Sequence, residues 1–103
     1  MEGRLYQAQI DIVCAGGQLP GEERDALGNA LRRDLADFCL TVREELHPVV
    51  VVAAELRAAN PLDAITSLSA SLDQALFVTG LLEKFDITGR VLHVRPIHAR
   101  RGR

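Results

Sequence analysis

Four consecutive valines, Val49-Val50-Val51-Val52, lead within eight residues to Asn60-Pro61-Leu62-Asp63, and this junction constrains the fold more than any other stretch. Branching at Cβ stiffens χ1 and favours extended backbone, so the run predicts a strand from Val49 to about Arg57. The tetrad after it reads as an N-cap, a proline at the first helical position and an acid in the first turn, where free N–H groups favour negative charge. A strand-to-helix unit over 49–82 follows.

A second such unit precedes it. From Tyr6 to Val13 the chain alternates, with Tyr6, Ala8, Ile10, Ile12 and Cys14 on one parity and Gln7, Gln9 and Asp11 on the other, the pattern of a strand buried on one face. Turn residues Gly16-Gly17 and Pro20-Gly21 follow, then Glu22, Glu23 and Asp25 at a helix start. Leu27, Leu31, Leu35 and Phe38 repeat at helical spacing, which predicts an amphipathic helix over Glu22 to Phe38. Residues 39–45 read either as a short strand turned by Leu46-His47-Pro48 or as an extension of that helix to Pro48; the strand avoids a helix of unusual length and is preferred.

From Pro61 onward, Ile65, Leu68, Leu72, Ala75 or Leu76, and Thr79 form a broad helical stripe, and Gly80 is a natural stop. A restart at Ser71-Leu72-Asp73-Gln74, leaving 64–70 extended, is the competing reading. Leu82, Glu83 and Phe85 could add another turn. Arg90 to Arg95, preceded by Thr88-Gly89 and closed by Pro96, reads as a last strand.

Strand, helix, strand, strand, helix, strand resembles the ferredoxin-like superfold in element order. The resemblance implies an α+β, β-α-β-β-α-β sandwich with a four-stranded antiparallel sheet and two helices on one face. Residues 1–96 are expected to form one α+β domain, and 97–103 a basic, flexible C-terminal tail. The superfold hosts many unrelated functions and does not choose among them.

A chain of 103 residues can bury about two-thirds of its unfolded surface, enough for a core without disulfides. Cys14 and Cys39 fall in different elements, and the first apolar run is broken by Gln7, Gln9 and Asp11, unlike a secretory leader. Reduced thiols, buried as small hydrophobes, are expected in a cytoplasmic protein. No apolar run approaches the roughly 18 residues of a membrane span. Eleven of the twelve bases are arginine, the signature of a GC-rich bacterial or phage genome. Charge is uneven: residues 87–103 carry Arg90, Arg95, Arg100, Arg101 and Arg103 without an acid, whereas residues 1–86 set seven bases against fourteen acids.

Chemical motifs are sparse. The Gly16-Gly17 to Gly21 loop matches neither the dinucleotide fingerprint nor the P-loop, and the acids after it would repel an anion, so it reads as a turn. His93 and His98 lie an odd number of residues apart and point to opposite faces if both are in a strand; His47 stands beside Pro48. With no H-x-x-x-H or C-x-x-C spacing, no metal and no cofactor are expected. Paired cysteines for copper transfer, a loop arginine for acylphosphatase chemistry, and base-stacking aromatics on the central strands are missing from the positions that need them. Leu19-Pro20-Gly21 is similar to the strand-to-helix turn of ACT-like ligand-sensing modules.

The valine strand is apolar on both parities, whereas helices can cover only one face of such a sheet. The other parity, Val49, Val51 and Ala53, is therefore the expected oligomer interface, and a non-enzymatic interaction or regulatory module that homo-oligomerises through this face is the first functional reading. Nucleic-acid association through Arg90, Arg95, Arg100, Arg101 and Arg103 is the second. An enzyme or ligand-sensing domain is the third: Gln9 and Asp11 would approach His93 and Arg95 if the first and last strands pair.

Overall fold

A computed structural model describes residues 3–15, 21–43, 49–84 and 87–97. In chain order the elements are β1 (Arg4–Cys14), α1 (Gly21–Leu31), β2 (Phe38–Arg43), β3 (Val49–Ala58), α2 (Pro61–Thr79), α3 (Leu81–Lys84) and β4 (Ile87–Pro96). The four strands form one sheet in the order β2-β3-β1-β4, and every neighbouring pair is antiparallel. The α+β class and the four-stranded antiparallel sheet agree with the expectation. The short α3, inserted between α2 and β4, was not anticipated as a separate helix.

Register fixes which side chains share a face. Ile10 stands opposite Val52 and Leu92, and Val52 stands opposite Leu40, so the even-numbered residues of β1, β2, β3 and of β4 from Arg90 onward lie on one side, joined there by Ile87, which a register shift sets opposite Cys14. Ala8, Ile10, Ile12, Val50, Val52 and Ala54 on that side join Leu27 and Leu31 of α1 and Ile65, Leu68, Leu72 and Leu76 of α2 in one buried cluster. Burying each such leucine or isoleucine stabilises by about 1.5–3 kcal/mol before conformational entropy is counted. A Cβ at Gly28 would stand 3.7 Å from Leu40 Cδ2, which sets α1 over β2, while the Arg90–Asp73 ion pair at 2.7 Å ties β4 to α2.

The caps of α2 are as the sequence foretells. Asn60 Oδ1 accepts from the Asp63 N–H at 2.8 Å with Asn60 in extended backbone, and Pro61 takes the first turn. Gly80 ends the helix at φ 78° and donates its N–H to the Phe77 carbonyl. The helix is continuous from Pro61 to Thr79, so the restart at Ser71 with an extended 64–70 does not occur. Leu81, on α3, is buried, and Lys84 pairs with Glu23 of α1, which draws the short helix onto the first.

The first helix needs correction. It ends at Leu31, not at Phe38. Beyond it the Arg33 and Asp34 N–H groups bond three residues back, to Ala30 and Leu31, and the chain tightens into a turn. Leu35 stays in the core without being helical, and Phe38 opens β2 opposite Ala54 with the Arg32 guanidinium 5.8 Å above its ring centre. The strand reading of residues from 39 is the one adopted, with residues 44–48 outside the described residues.

Candidate functional site on the open sheet face

Apart from Ile87, the odd-numbered strand residues face away from the helices and form registered rows. One row is Val13, Val49, Arg43 and Gly89; the next is Asp11, Val51, Thr41 and Val91. Then come Gln9, Ala53, Cys39 and His93, and finally Gln7, Glu55 and Arg95. The face is therefore apolar toward the start of β3 and polar toward its end. Val49 is buried, and Val51 and Ala53 are half-buried, so the three expected interface residues do lie together on this face.

Asp11 is the unusual member. At 8% exposure it is a charged residue buried on the face that the helices leave open. A carboxylate so placed needs partners, and it has them. Its Oδ1 accepts from Gln9 Nε2 at 2.9 Å, while Oδ2 lies 3.5 Å from His93 Nε2 and 3.8 Å from Arg43 Nη2. The paired first and last strands thus bring Asp11 to His93 across a diagonal of the ladder. Arg95 goes elsewhere: its Nε and Nη2 both donate to Gln7 Oε1, at 3.2 and 2.9 Å. Sequence reasoning placed Gln9, Asp11, His93 and Arg95 near one another but missed Arg43, because the register of β2 against β3 has no marker in the chain.

Gln7, Gln9, His93 and Arg95 also wall a trough of about 580 Å³ between β1 and β4. A larger groove of about 840 Å³ runs between α1 and β2, lined by residues of both charges, among them Arg24, Asp25, Arg32 and Asp37.

The arginines of the basic end do not form one surface among the described residues. Arg90 stands opposite Ile12 on the helix side and pairs with Asp73, whereas Arg95 stands opposite Gln7 on the open side. Arg100, Arg101 and Arg103 lie outside the described residues, as do His47, His98 and the Gly16-Gly17 turn. Ile97 is still held to the sheet, its N–H donating to the Leu5 carbonyl at 2.9 Å.

The two thiols differ. Cys14 is buried as expected, and desolvation raises its pKa. Cys39, expected to be buried too, is exposed, because the strand that starts at Phe38 turns the next residue onto the open face. Among the described residues no three His, Cys, Asp or Glu side chains gather to hold a metal, and no helix is long and apolar enough to cross a membrane. No protein-family model, curated protein or solved structure matches the chain.

Proposed function

We propose that this chain is a ferredoxin-like interaction or regulatory module that homo-oligomerises through its open sheet face. The antiparallel β2-β3-β1-β4 order and the burial of residues from α1 and α2 against one side support the finer fold reading; the extra helix α3 departs from the plain six-element pattern. The observation that carries the functional reading is the row Val49, Val51, Ala53 on a central strand whose other side is already core. Strands apolar on both sides normally have two covers.

A second copy fits this face by symmetry and by charge. A two-fold axis running along β3 sets the valine row on itself and lays β1 of one copy over β2 of the other. Asp11 then comes close to Thr41 and Arg43 of the second copy, so the buried carboxylate meets a cation from each side. No such match arises if the axis runs across the strands, which would bring Val49 against Glu55.

The test is solution mass by light scattering or sedimentation, for the native chain and for Val51→Lys. A native dimer that the charged variant reduces to one chain while its circular dichroism is unchanged is the expected result. Leu62→Lys, at an exposed position at the start of α2, is the control and should leave the dimer intact. A native mass of one chain at high micromolar concentration would overturn the proposal.

A further inference from the structure

The trough between β1 and β4 has a directional chemistry that self-association does not use. Its four polar side chains stand in two registered pairs, Gln7 with Arg95 and Gln9 with His93. Internal bonds decide which polar atoms are left for a ligand. Arg95 spends Nε and Nη2 on Gln7 Oε1, which leaves Arg95 Nη1 and the Gln7 amide nitrogen as donors. Gln9 gives its amide nitrogen to Asp11 and keeps Oε1 as an acceptor; His93 turns Nε2 toward Asp11 and keeps Nδ1. One end of the trough donates and carries a fixed positive charge, and the other end accepts. No carboxylate lines the trough itself: Asp11 lies behind Gln9 and His93, paired with them and with Arg43, and Glu55 stands opposite Gln7 on β3.

We infer that this trough is a binding site for a small carboxylate that also carries a hydroxyl or amino group. The carboxylate is taken by Arg95 Nη1 together with the Gln7 amide nitrogen, a charge-assisted contact. The hydroxyl or amino hydrogen is taken by Gln9 Oε1 and His93 Nδ1. Within a strand the two pairs are one i to i+2 step apart, about 6.8 Å, so the two groups on the ligand must be several bonds apart. A cavity of about 580 Å³ is of the size that holds such a molecule. Asp11 acts as a positioning residue, fixing the orientation of Gln9 and His93 from behind. The inference does not depend on the dimer: in the arrangement proposed above the second copy's β2 lies over β1, while the edge strand β4, with His93 and Arg95, overhangs the contact and leaves the trough open from that side.

Isotope-edited NMR titrations of the full chain with 4-hydroxybutyrate, butyrate and inorganic phosphate test it. Expected are saturable shifts of the Gln7 and Gln9 side-chain amides with 4-hydroxybutyrate, and binding about fivefold weaker for butyrate, the worth of one hydrogen bond. Arg95→Met should abolish both, and His93→Phe should cut the advantage of the hydroxyl while leaving butyrate binding in place. Each variant is accepted only with a dispersed spectrum; if Arg95→Met fails to fold, Gln7→Leu replaces it and should weaken both acids. Shifts that do not saturate, that map away from the trough, that are equal for the two acids, or that inorganic phosphate matches would overturn the inference. None of these readouts depends on oligomer mass, so failure here and failure of the dimer proposal are distinguishable.

Discussion

Asp11 Oδ2 lies 3.5 Å from His93 Nε2 because β1 and β4 pair with Gln9 opposite His93, which sets Asp11 one step along the diagonal. The contact is unequal in exposure: the aspartate side chain is nearly buried, and that of the histidine is about half exposed. A contact with a partner so exposed contributes little, since water competes for it and screens it. The cost of deleting Asp11 comes instead from what it leaves behind.

Asp11→Ala is therefore expected to destabilise by about 1–3 kcal/mol, by stranding the Gln9 amide and removing the counter-charge to Arg43 and the partner of His93 Nε2. His93→Ala should cost no more than about 1 kcal/mol. Urea unfolding of the two single variants and the double variant measures both, and a coupling above that limit would show that the histidine is held more tightly than its exposure implies.

The two ends of α2 rest on one side chain and one backbone angle. Asn60→Ala removes the acceptor for the Asp63 N–H and should cost about 0.5–2 kcal/mol, while Asn60→Asp keeps it and should cost less. Gly80→Ala places a Cβ on a residue at φ 78°, with a penalty of about 1–2 kcal/mol although no neighbouring atom lies within 4 Å of that Cβ. Thermal midpoints of the three variants order these effects.

How far the chain could be read in advance depended on whether the signal was local. The alternation from Tyr6 to Cys14 gave β1 and its buried face, and Asn60-Pro61 and Gly80 gave both ends of α2, because each is set by neighbouring residues. Leu35 shows where this fails. Its spacing from Leu27 and Leu31 correctly marks a core position, but a tightened turn carries it there as well as a helix would, and spacing cannot tell the two apart. Cys39 was misplaced for the same reason, since its face depends on where the helix gives way to β2. The burial of Asp11 was invisible because it depends on Arg43 and His93, which reach it through strands far away in sequence.

That distinction between position and conformation can be measured. Leu35→Ala and Leu72→Ala both delete a buried side chain, one from a turn and one from a helix, and both should cost about 2–5 kcal/mol. Phe77, on the same helix as Leu72, is 69% exposed, and Phe77→Ala should change stability by no more than about 0.5 kcal/mol. Denaturant midpoints at constant slope report all three. A Leu35 variant as mild as the Phe77 variant would mean that the turn is not part of the core.

The thiols supply a prediction in pH. Cys14 is buried and its pKa is raised by desolvation, so the native state holds its proton over a range where the unfolded chain releases it. Because the unfolded chain then binds fewer protons, stability falls as pH rises: the contribution of Cys14 is fully present below the ordinary thiol pKa of about 8.5 and is lost between there and the raised native value. Urea midpoints taken from pH 7 to pH 10 should therefore decline, and Cys14→Ala should flatten part of that decline at the cost of a small cavity. Exposed Cys39 sets the contrast. With a thiol reagent at pH 8, the single-chain Val51→Lys variant, in which no second copy covers β2, should react fast at one equivalent and slowly at a second, the latter at a rate that follows unfolding, and adding Cys39→Ser should remove the fast phase alone. Equal rates for the two thiols, or an alkaline decline untouched by Cys14→Ala, would refute the assignment of Cys14 to the core side of β1.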